Sequence, residues 1–290
     1  MQTPSLLITG ATGTIGLELT TLLQQKGYSF RVMVRSLEKA EVWKSVPSVE
    51  VVIGDFDEPE SLEKALTGID RAFLLTNSSA KAEEQQLAFV AAAQQTGLKQ
   101  LVKLSQFAAE VHSPVRFLRY HAIVEKAIQD AGISYTFLRP NLFMQGLLGF
   151  KDVIQTKGMF FASAGDAPVS VIDIRDIARV AFHCLTEDGH AGKIYPLTGP
   201  QALTHTAMAA ELSRAVGKEI RYVDVEPEVM HQALLEVGFP EWQAAGLIED
   251  YAHYSRGEAS LVTPTVAEVT GQSASPFSRF ANDYRAVFGK

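Results

Sequence analysis

Short apolar runs alternate with longer amphipathic segments along the first half of this chain. An apolar run at residues 6–8 is followed by a segment whose apolar residues recur at helical spacing, namely Ile15, Leu19, Leu22 and Leu23. A second apolar run then ends at Arg35. Short apolar runs are typical of buried strands, and recurrence every three or four residues is typical of a helix packed on one face. The pattern predicts strand, helix and strand over residues 5–35.

The same alternation continues to residue 139. Further strands are predicted at residues 49–53, 71–76, 100–105 and 134–139. Further helices are predicted at residues 36–44, 59–66, 81–96 and 116–131. Regular alternation of this kind specifies a parallel sheet covered by helices, with ligands at the carboxyl ends of the strands. The predicted fold class is therefore α/β, with a Rossmann-type doubly wound parallel sheet.

Three glycines, Gly10, Gly13 and Gly16, occupy the turn between the first strand and the first helix. In a dinucleotide-binding turn, such glycines allow a sharp exit from the strand, close approach of backbone N–H groups to a pyrophosphate and close helix packing. The helix N-terminus also favours an anion. The turn therefore predicts dinucleotide binding, and a glycine-rich turn without a ligand is the alternative.

Arg35, at the end of the second strand, distinguishes between the two nicotinamide dinucleotides. An acidic residue there would accept hydrogen bonds from the ribose of NAD, whereas an arginine accommodates the 2′-phosphate of NADP. Ser36 follows, and neither residue is acidic. The sequence predicts NADP(H) as the cofactor, with a solvated surface arginine as the alternative.

The alternation changes from Pro140 onwards. Short strands are predicted at 169–172, 194–197 and 220–223, and helices near Asp173 and at 204–216. Residues 226–254 are predicted to be mostly helical, with breaks at Gly238 and Pro240, and residues 276–288 form an amphipathic segment. The predicted domains are a Rossmann domain that binds NAD(P) at residues 1–155 and a smaller substrate-side lobe at residues 156–290.

Composition excludes several classes of function. The 290 residues are 47% hydrophobic and carry a net charge of −7, which argues against non-specific nucleic-acid binding. The single cysteine, Cys184, excludes an intramolecular disulfide and is predicted to be a small core residue. No signal peptide and no apolar run of membrane-spanning length are visible, so we expect a cytoplasmic protein without a membrane partner. No metal site is predicted, and a homodimer is left open.

Four motifs carry a resemblance to a known family. They are LLITGATGTIG at 6–16, GDFDEPESLEKAL at 54–66, HAIVEKAI at 121–128 and YTFLRPNLFMQ at 135–145. Together with Arg35, they resemble the NmrA-like branch of the atypical short-chain dehydrogenases/reductases. That branch contains quinone reductases, dye reductases and redox sensors, and the resemblance covers nearly the whole chain.

The resemblance implies a set of cofactor contacts. The pyrophosphate would lie on Gly10, Thr12, Gly13, Thr14, Ile15 and Gly16. The 2′-phosphate would lie on Arg35, the adenine on Asp55 and Phe56, and the adenosine and ribose on Leu74, Leu75 and Thr76. The other implied cofactor residues are Ser105, Glu125 and Pro140. As alternatives, Asp55 or Asp57 would only cap the helix at Pro59, and Leu74 would be core only.

The helix at 116–131 departs from the usual pattern of short-chain dehydrogenases, a Tyr with a Lys four residues later. Here Tyr120 is followed at that spacing by Val124. His121 and Glu125 share a face, and an imidazole bonded to a carboxylate can hold or deliver a proton near neutral pH. The candidate catalytic residues are His121, Asn141 and Tyr120. An ion pair between His121 and Glu125 that only orders the cofactor pocket is the alternative.

Two classes of function remain. The first is an NADPH-dependent reductase that transfers hydride to a conjugated, electron-poor acceptor of the quinone or dye type, for which the missing Tyr/Lys dyad is tolerable. An apolar wall for such an aromatic acceptor is predicted from Phe143, Met144, Phe150, Phe160 and Phe161. The alternative is a non-catalytic NADP(H)-binding redox sensor of the NmrA type. A nucleotide-sugar epimerase is disfavoured because the Tyr/Lys pair is absent.

Overall fold

The structure is a computed structural model and describes residues 5–289. Its internal contacts divide these residues into two compact units. The first unit comprises residues 5–111, 118–139 and 177–195, and the second comprises residues 112–117, 140–176 and 196–289. These units are groups of mutual contacts, and the domain boundary predicted between residues 155 and 156 stays a prediction.

The elements within residues 5–289 follow one another in a largely alternating order. The strands are β1 (Leu6–Ile8), β2 (Phe30–Val34), β3 (Val49–Ile53), β4 (Arg71–Leu74), β5 (Gln100–Leu104), β6 (Ser134–Pro140), β7 (Met159–Ala162), β8 (Lys193–Leu197) and β9 (Arg221–Asp224). The α-helices are α1 (Thr14–Gln25), α2 (Pro59–Leu66), α3 (Ala82–Gln95), α4 (Arg116–Asp130), α5 (Lys151–Lys157), α6 (Ile174–Thr186), α7 (His205–Val216), α8 (Pro227–Glu236), α9 (Glu241–Ser255), α10 (Thr265–Thr270), α11 (Phe277–Asp283) and α12 (Arg285–Phe288). Two 3₁₀-helices lie at Leu37–Trp43 and Met144–Phe150.

A seven-stranded sheet has the strand order β3-β2-β1-β4-β5-β6-β8. The pairs from β3 to β6 are parallel, with Leu7 opposite both Arg31 of β2 and Ala72 of β4. Every residue of β1, β2 and β5 is buried, as expected for strands with covered faces. The predicted Rossmann-type α/β fold is confirmed.

Apolar side chains from the sheet and from α2, α3 and α4 form the core cluster of the first unit. Phe137 of β6 packs in this cluster with Phe89 of α3 and Ile128 of α4, and all three are fully buried. Burial of aromatic and aliphatic side chains on this scale is the main force that holds helices on a sheet.

The second unit contains a two-stranded parallel sheet, β7 and β9, in which Met159 pairs with Arg221. Its core joins Phe160 of β7 to the helices α7, α11 and α12 through Leu212, Phe280 and Phe288. The N-terminus of α7 is capped by Thr204, whose hydroxyl accepts the Ala207 N–H at 3.0 Å. No helix among the described residues is both long enough and apolar enough to cross a membrane.

Three local expectations can be compared with these elements. The helix predicted at 36–44 is a 3₁₀-helix, and the strand predicted at 169–172 forms only isolated bridges at Val169 and Ile172. Strand β7 was not predicted, because it depends on pairing with β9, which lies about sixty residues later in the chain. Cys184 is fully buried in α6, as predicted, and burial raises the pKa of its thiol to about 12.

Candidate functional site

The predicted cofactor residues of the first unit follow the carboxyl ends of neighbouring parallel strands. The glycine turn follows β1, Arg35 follows β2, Asp55 follows β3, Leu75 follows β4 and Ser105 follows β5. Parallel strands place these ends at the same edge of the sheet. The order of the strands changes side at this point: β2 and β3 lie on one side of β1, and β4, β5 and β6 lie on the other. Ligands of such sheets bind at this switch point.

The glycine turn leaves no room for side chains at two of its three glycines. Gly10 has a φ of +61°, and a Cβ there would lie 2.8 Å from the Leu75 carbonyl oxygen. A Cβ on Gly16 would lie 2.2 Å from the Gly10 carbonyl oxygen. Both contacts are closer than a Cβ tolerates, so the turn requires glycine for its own geometry. It has the tight form that a phosphate-binding turn needs.

The N-terminus of α1 is open to an anion. Gly13 is its N-cap residue and makes no side-chain cap, and the first turn of the helix contains no acidic residue. Thr12 and Thr14 are exposed, whereas the Ile15 side chain is buried in the core. The first N–H groups of a helix have no partner within it, so they attract anions. Ile15 can therefore contribute to such a site through its backbone only.

Arg35 is exposed directly after β2 and forms no ion pair with any residue that the structure describes. An unpaired guanidinium at this position can form bidentate hydrogen bonds with a phosphate group. The predicted 2′-phosphate contact is compatible with this placement and stays a prediction.

Asp55 and Phe56 lie in the turn between β3 and α2. The Asp55 carboxylate accepts the Asp57 N–H at 3.1 Å, and the Asp55 N–H donates to Ser61 Oγ at 2.9 Å. Phe56 packs against Phe89 with ring centroids 5.9 Å apart. Both residues therefore have structural contacts, and a contact with adenine stays a prediction.

The residues after β4 are held by hydrogen bonds. Leu74 is fully buried in the core, which agrees with the alternative that it is core only. The Leu75 N–H donates to Thr9 Oγ1 at 2.9 Å, and Thr76 Oγ1 accepts from Gln86 Nε2 at 2.8 Å. These bonds fix the backbone path that forms one wall of the glycine turn.

A buried polar network joins β5, α4 and β6 in the first unit. Lys103 of β5 is fully buried, and its Nζ donates to the Leu104 carbonyl at 3.1 Å and lies 2.7 Å from His121 Nδ1. Ser105 donates to Glu125 Oε1 at 2.5 Å. Arg139 donates to both carboxylate oxygens of Glu125, through Nε at 3.0 Å and Nη2 at 2.5 Å.

Burial lowers the pKa of two members of this network. Desolvation lowers the pKa of Lys103 to about 7, opposed by the attraction of Glu125 and assisted by repulsion from Arg139. Desolvation, with repulsion from Lys103 and Arg139, holds the pKa of His121 well below its usual value. At neutral pH the imidazole is neutral, so its Nδ1 accepts a hydrogen bond when Lys103 is protonated. The pair can hold one proton near pH 7.

The network differs from the pairing expected between His121 and Glu125. Both side chains lie on the same face of α4, but Glu125 is occupied by Ser105 and Arg139, and His121 pairs with Lys103. A guanidinium and a hydroxyl satisfy both carboxylate oxygens, which leaves the imidazole to the lysine. Tyr120 is buried and packs on the His121 ring, with centroids 4.2 Å apart.

Asn141 and Pro140 belong to the second unit. Asn141 is buried, and its Nδ2 donates to Ser170 Oγ and to the Ala259 carbonyl, both at 2.8 Å. Its Oδ1 accepts the Leu142 N–H at 2.8 Å. The amide is therefore fully used within that unit, which favours a structural role, and its catalytic role stays a prediction. Pro140 is the last residue of β6.

The sequence analysis missed Lys103 and Arg139. A signal for Lys103 was present, because this lysine is the one charged residue of the strand QLVKL, in a sheet expected to be buried on both faces. A charge at such a position requires a buried partner. No comparable signal existed for Arg139, since strand ends often carry charged residues.

The chain is similar to known proteins along nearly its whole length. The sequence model of the NmrA-like family matches residues 2–272. An NAD(P)H azoreductase of Xenophilus azovorans is 38% identical over 98% of this chain and 99% of its own. A (4-alkanoyl-5-oxo-2,5-dihydrofuran-3-yl)methyl phosphate reductase of Streptomyces griseus is 35% identical, with the same coverage of both chains. The structure of an NADPH-dependent quinone oxidoreductase of Escherichia coli with NADPH superimposes with a TM-score of 0.88, at 27% identity, over 96% of this chain and 99% of that one. These relatives bear out the predicted oxidoreductase class and the predicted cofactor, NADP(H).

Proposed function

Because the chain belongs to the NmrA-like family, we propose that it is an NADPH-dependent reductase that transfers hydride to a conjugated, electron-poor acceptor of the quinone or dye type. The observation that carries the proposal is the glycine turn, where a Cβ on Gly16 would collide with the Gly10 carbonyl. Relatives that reduce azo compounds and quinones support the acceptor class.

The residues of the first unit fit the cofactor. The backbone of Gly10, Gly13 and Gly16 offers space and N–H groups for the pyrophosphate. Arg35 is exposed and has no ion pair among residues 5–289, and it offers a guanidinium for the 2′-phosphate. When bound, the nicotinamide supplies the hydride. The protein holds the cofactor in position, which is the main contribution that a protein makes to hydride transfer.

The buried network supplies the proton that the reaction needs. Hydride addition to a quinone leaves a hydroquinone anion, and one proton completes the product. Lys103, with a pKa of about 7, holds a proton that it can pass to His121 Nδ1 while the imidazole releases its own proton from Nε2. A strong acid is not required, because the conjugated anion is already stabilised by delocalisation.

Cofactor choice is tested by fluorescence titration with NADPH and NADH. A charge-assisted arginine contact contributes roughly 1.5–3 kcal/mol, so we expect a preference for NADPH of about ten- to a hundredfold that Arg35→Asp removes. Arg285→Asp makes the same change of charge at an exposed site in α12 and should keep the preference. Equal affinity of the unmodified protein for both cofactors would contradict the assignment of Arg35.

The reaction is tested by following loss of reduced nicotinamide with benzoquinone, naphthoquinone, an azo dye and a triarylmethane dye. We expect steady turnover with at least one of them, and a large loss of turnover with unchanged NADPH affinity in His121→Ala. Tight NADPH binding without consumption of any acceptor would instead support the alternative, a non-catalytic redox sensor. Unchanged turnover in His121→Ala would give His121 a structural role.

A further inference from the structure

The edge of the seven-stranded sheet that β3 forms is open to a further strand. Among residues 5–289, β3 pairs with β2 on one side and with no strand on the other. Glu50 and Ile53 of this strand are exposed. An uncovered edge presents backbone N–H and C=O groups without strand partners, and such groups pair readily with another chain.

The hydrogen bonds to β2 determine which residues of β3 face outward. The Ser48 carbonyl accepts an N–H of β2 at 3.1 Å, and the Gly54 N–H donates to a carbonyl of β2 at 3.0 Å. In a parallel ladder alternate residues bond to the same neighbouring strand, so residues 50 and 52 also face β2. The backbone groups of Val49, Val51 and Ile53 therefore point away from β2.

This spacing fits a second copy of the same strand. If a two-fold axis passes at Val51, that residue lies opposite its own copy, and Val49 lies opposite Ile53 of the other chain. The two copies of Val51 then exchange both of their backbone hydrogen bonds, and each Ile53 N–H donates to a Val49 carbonyl. The Val49 N–H is not needed, because it donates to the Val46 carbonyl at 3.0 Å.

Charge does not oppose this pairing. Glu50 is the one charged residue of β3, and Arg31 of β2 lies 3.0 Å from both of its carboxylate oxygens. Arg31 is itself held by the carbonyls of Ala65 and Thr67, at 2.7 and 2.9 Å. The two-fold register places Glu50 opposite Val52 of the other copy, so no like charges face each other across the pair.

The strand at the other edge of the sheet, β8, is protected against such pairing. It contains Lys193 and Pro196, and lysine and proline are residues with which natural edge strands avoid association. Strand β3 contains neither. The 3₁₀-helix that precedes β3 also exposes two large apolar side chains, Leu37 and Val42. One edge of the sheet is therefore protected, and the other is open and largely apolar.

We propose that β3 is the interface of a homodimer, in which two copies of the chain pair antiparallel about Val51 and join their sheets. A strand of five residues spans only about 17 Å, so the interface is small and we expect association in the micromolar range. The proposal does not rest on the proposed reductase function, since strand pairing requires neither cofactor nor acceptor.

The test is sedimentation velocity of the full chain without cofactor, at concentrations from about 1 to 500 µM. We expect the average mass to rise towards that of two chains. Ile53→Lys places an ammonium group beside Val49 of the other copy and should weaken association at least about tenfold. Ile194→Lys is the matched control, because it makes the same substitution at an exposed isoleucine of β8, and it should leave association unchanged.

Two further measurements test the register. Val51→Pro keeps the bonds to β2, because the Val51 N–H points away from that strand, but it removes the central donor. It should abolish association, while an unchanged circular dichroism spectrum shows that the chain is folded. In the unmodified protein, amide hydrogen exchange followed by NMR should slow at Val51 and Ile53 as the concentration rises.

Three results would overturn the proposal without affecting the reductase assignment. The first is a chain that stays monomeric at all concentrations, which would leave this edge to an extended segment of a different protein. The second is an equal effect of Ile53→Lys and Ile194→Lys on association. The third is association without any change of hydrogen exchange at Val51 and Ile53.

Discussion

Lys103 is fully buried near the carboxyl end of β5, with its Nζ 2.7 Å from Nδ1 of a neutral imidazole. Burial of a cation is costly in free energy, so the pKa of a buried lysine is usually lowered. The pKa of Lys103 falls from 10.5 to about 7 for this reason. Near neutral pH this residue can therefore change between its protonated and neutral forms, whereas an exposed lysine stays protonated.

This pKa makes stability depend on pH. Between about pH 7 and 10.5 the unfolded chain binds a proton at Lys103 that the folded chain has released, so the free energy of unfolding rises with pH. We expect this group to contribute up to about 1.4 kcal/mol per pH unit, and Lys103→Met to remove that contribution. Urea unfolding of both proteins at pH 7, 8 and 9 measures the difference between the two slopes.

Lys126→Met provides the control for this prediction, because the Lys126 side chain is 64% exposed in the salt bridge with Asp130. The slope of its stability against pH should match that of the unmodified protein. Parallel curves for Lys103→Met and the unmodified protein would show that the pKa of the buried lysine is not lowered in this pH range.

Single residues were predictable where their chemistry depends on neighbours in sequence. The glycine turn and Arg35 follow from spacing, and the structure places them at the ends of adjacent strands. The partners of His121 and Glu125 were not predictable, because Lys103 and Arg139 come from other elements. Spacing of four residues places two side chains on one face of a helix and does not decide what lies opposite.

At the scale of elements, α1 lies so close to the turn after β1 that a Cβ on Gly16 would collide with the backbone of that turn. A glycine in a helix ordinarily costs about 0.5–1 kcal/mol relative to alanine. At Gly16 we expect alanine to be the less stable residue, because its Cβ would lie 2.2 Å from the Gly10 carbonyl oxygen and 2.6 Å from the Ala11 Cα. These neighbours are backbone atoms, which cannot shift to make room for a methyl group as the end of a flexible side chain can.

We therefore expect Gly16→Ala to lower the free energy of unfolding by about 1–3 kcal/mol and to weaken NADPH binding at least tenfold. Thermal unfolding and fluorescence titration measure the two effects. Gly149→Ala is the matched control, since nothing lies within 4 Å of a Cβ at that glycine, and it should be neutral or slightly stabilising. Equal stability of the two variants would contradict the close approach.

Elements whose apolar residues form a clear pattern were predicted well, and strand β7 was not. Helices α2 and α3 and strand β3 lie where the pattern of apolar residues predicts them. Strand β7 has four residues, and its strand conformation depends on pairing with β9. The apolar residues of this segment do not by themselves reveal a partner that is distant in the chain.

At the scale of the whole molecule, cofactor binding should raise the stability of the folded chain against thermal unfolding. A ligand that binds only the folded chain stabilises it by about 2.7 kcal/mol at a concentration a hundred times its Kd. We expect the melting temperature to rise with NADPH concentration, and to rise less with NADH at the same concentration. Differential scanning fluorimetry measures both series, with Arg35→Asp as the variant that should abolish the difference between them. A melting temperature that does not change with NADPH concentration would contradict the cofactor assignment.

The family and the cofactor class were predicted correctly, because the motifs that bind phosphate groups consist of residues close together in the sequence. The domain boundary, the assembly state and a cytoplasmic location stay predictions. Cofactor contacts at Asp55, Phe56, Leu75 and Thr76 also stay predictions, although the structure places these residues after β3 and β4.

The sequence by itself determined the alternation of strands and helices, the glycine turn and the arginine that follows β2, since each depends on residues close together in the chain. The tertiary structure alone decided the pairing of Lys103 with His121, the pairing of Glu125 with Arg139 and the existence of β7. The physical reason is burial: desolvation and packing depend on elements that are distant in sequence, and they set both the pKa of a lysine and the conformation of a short strand.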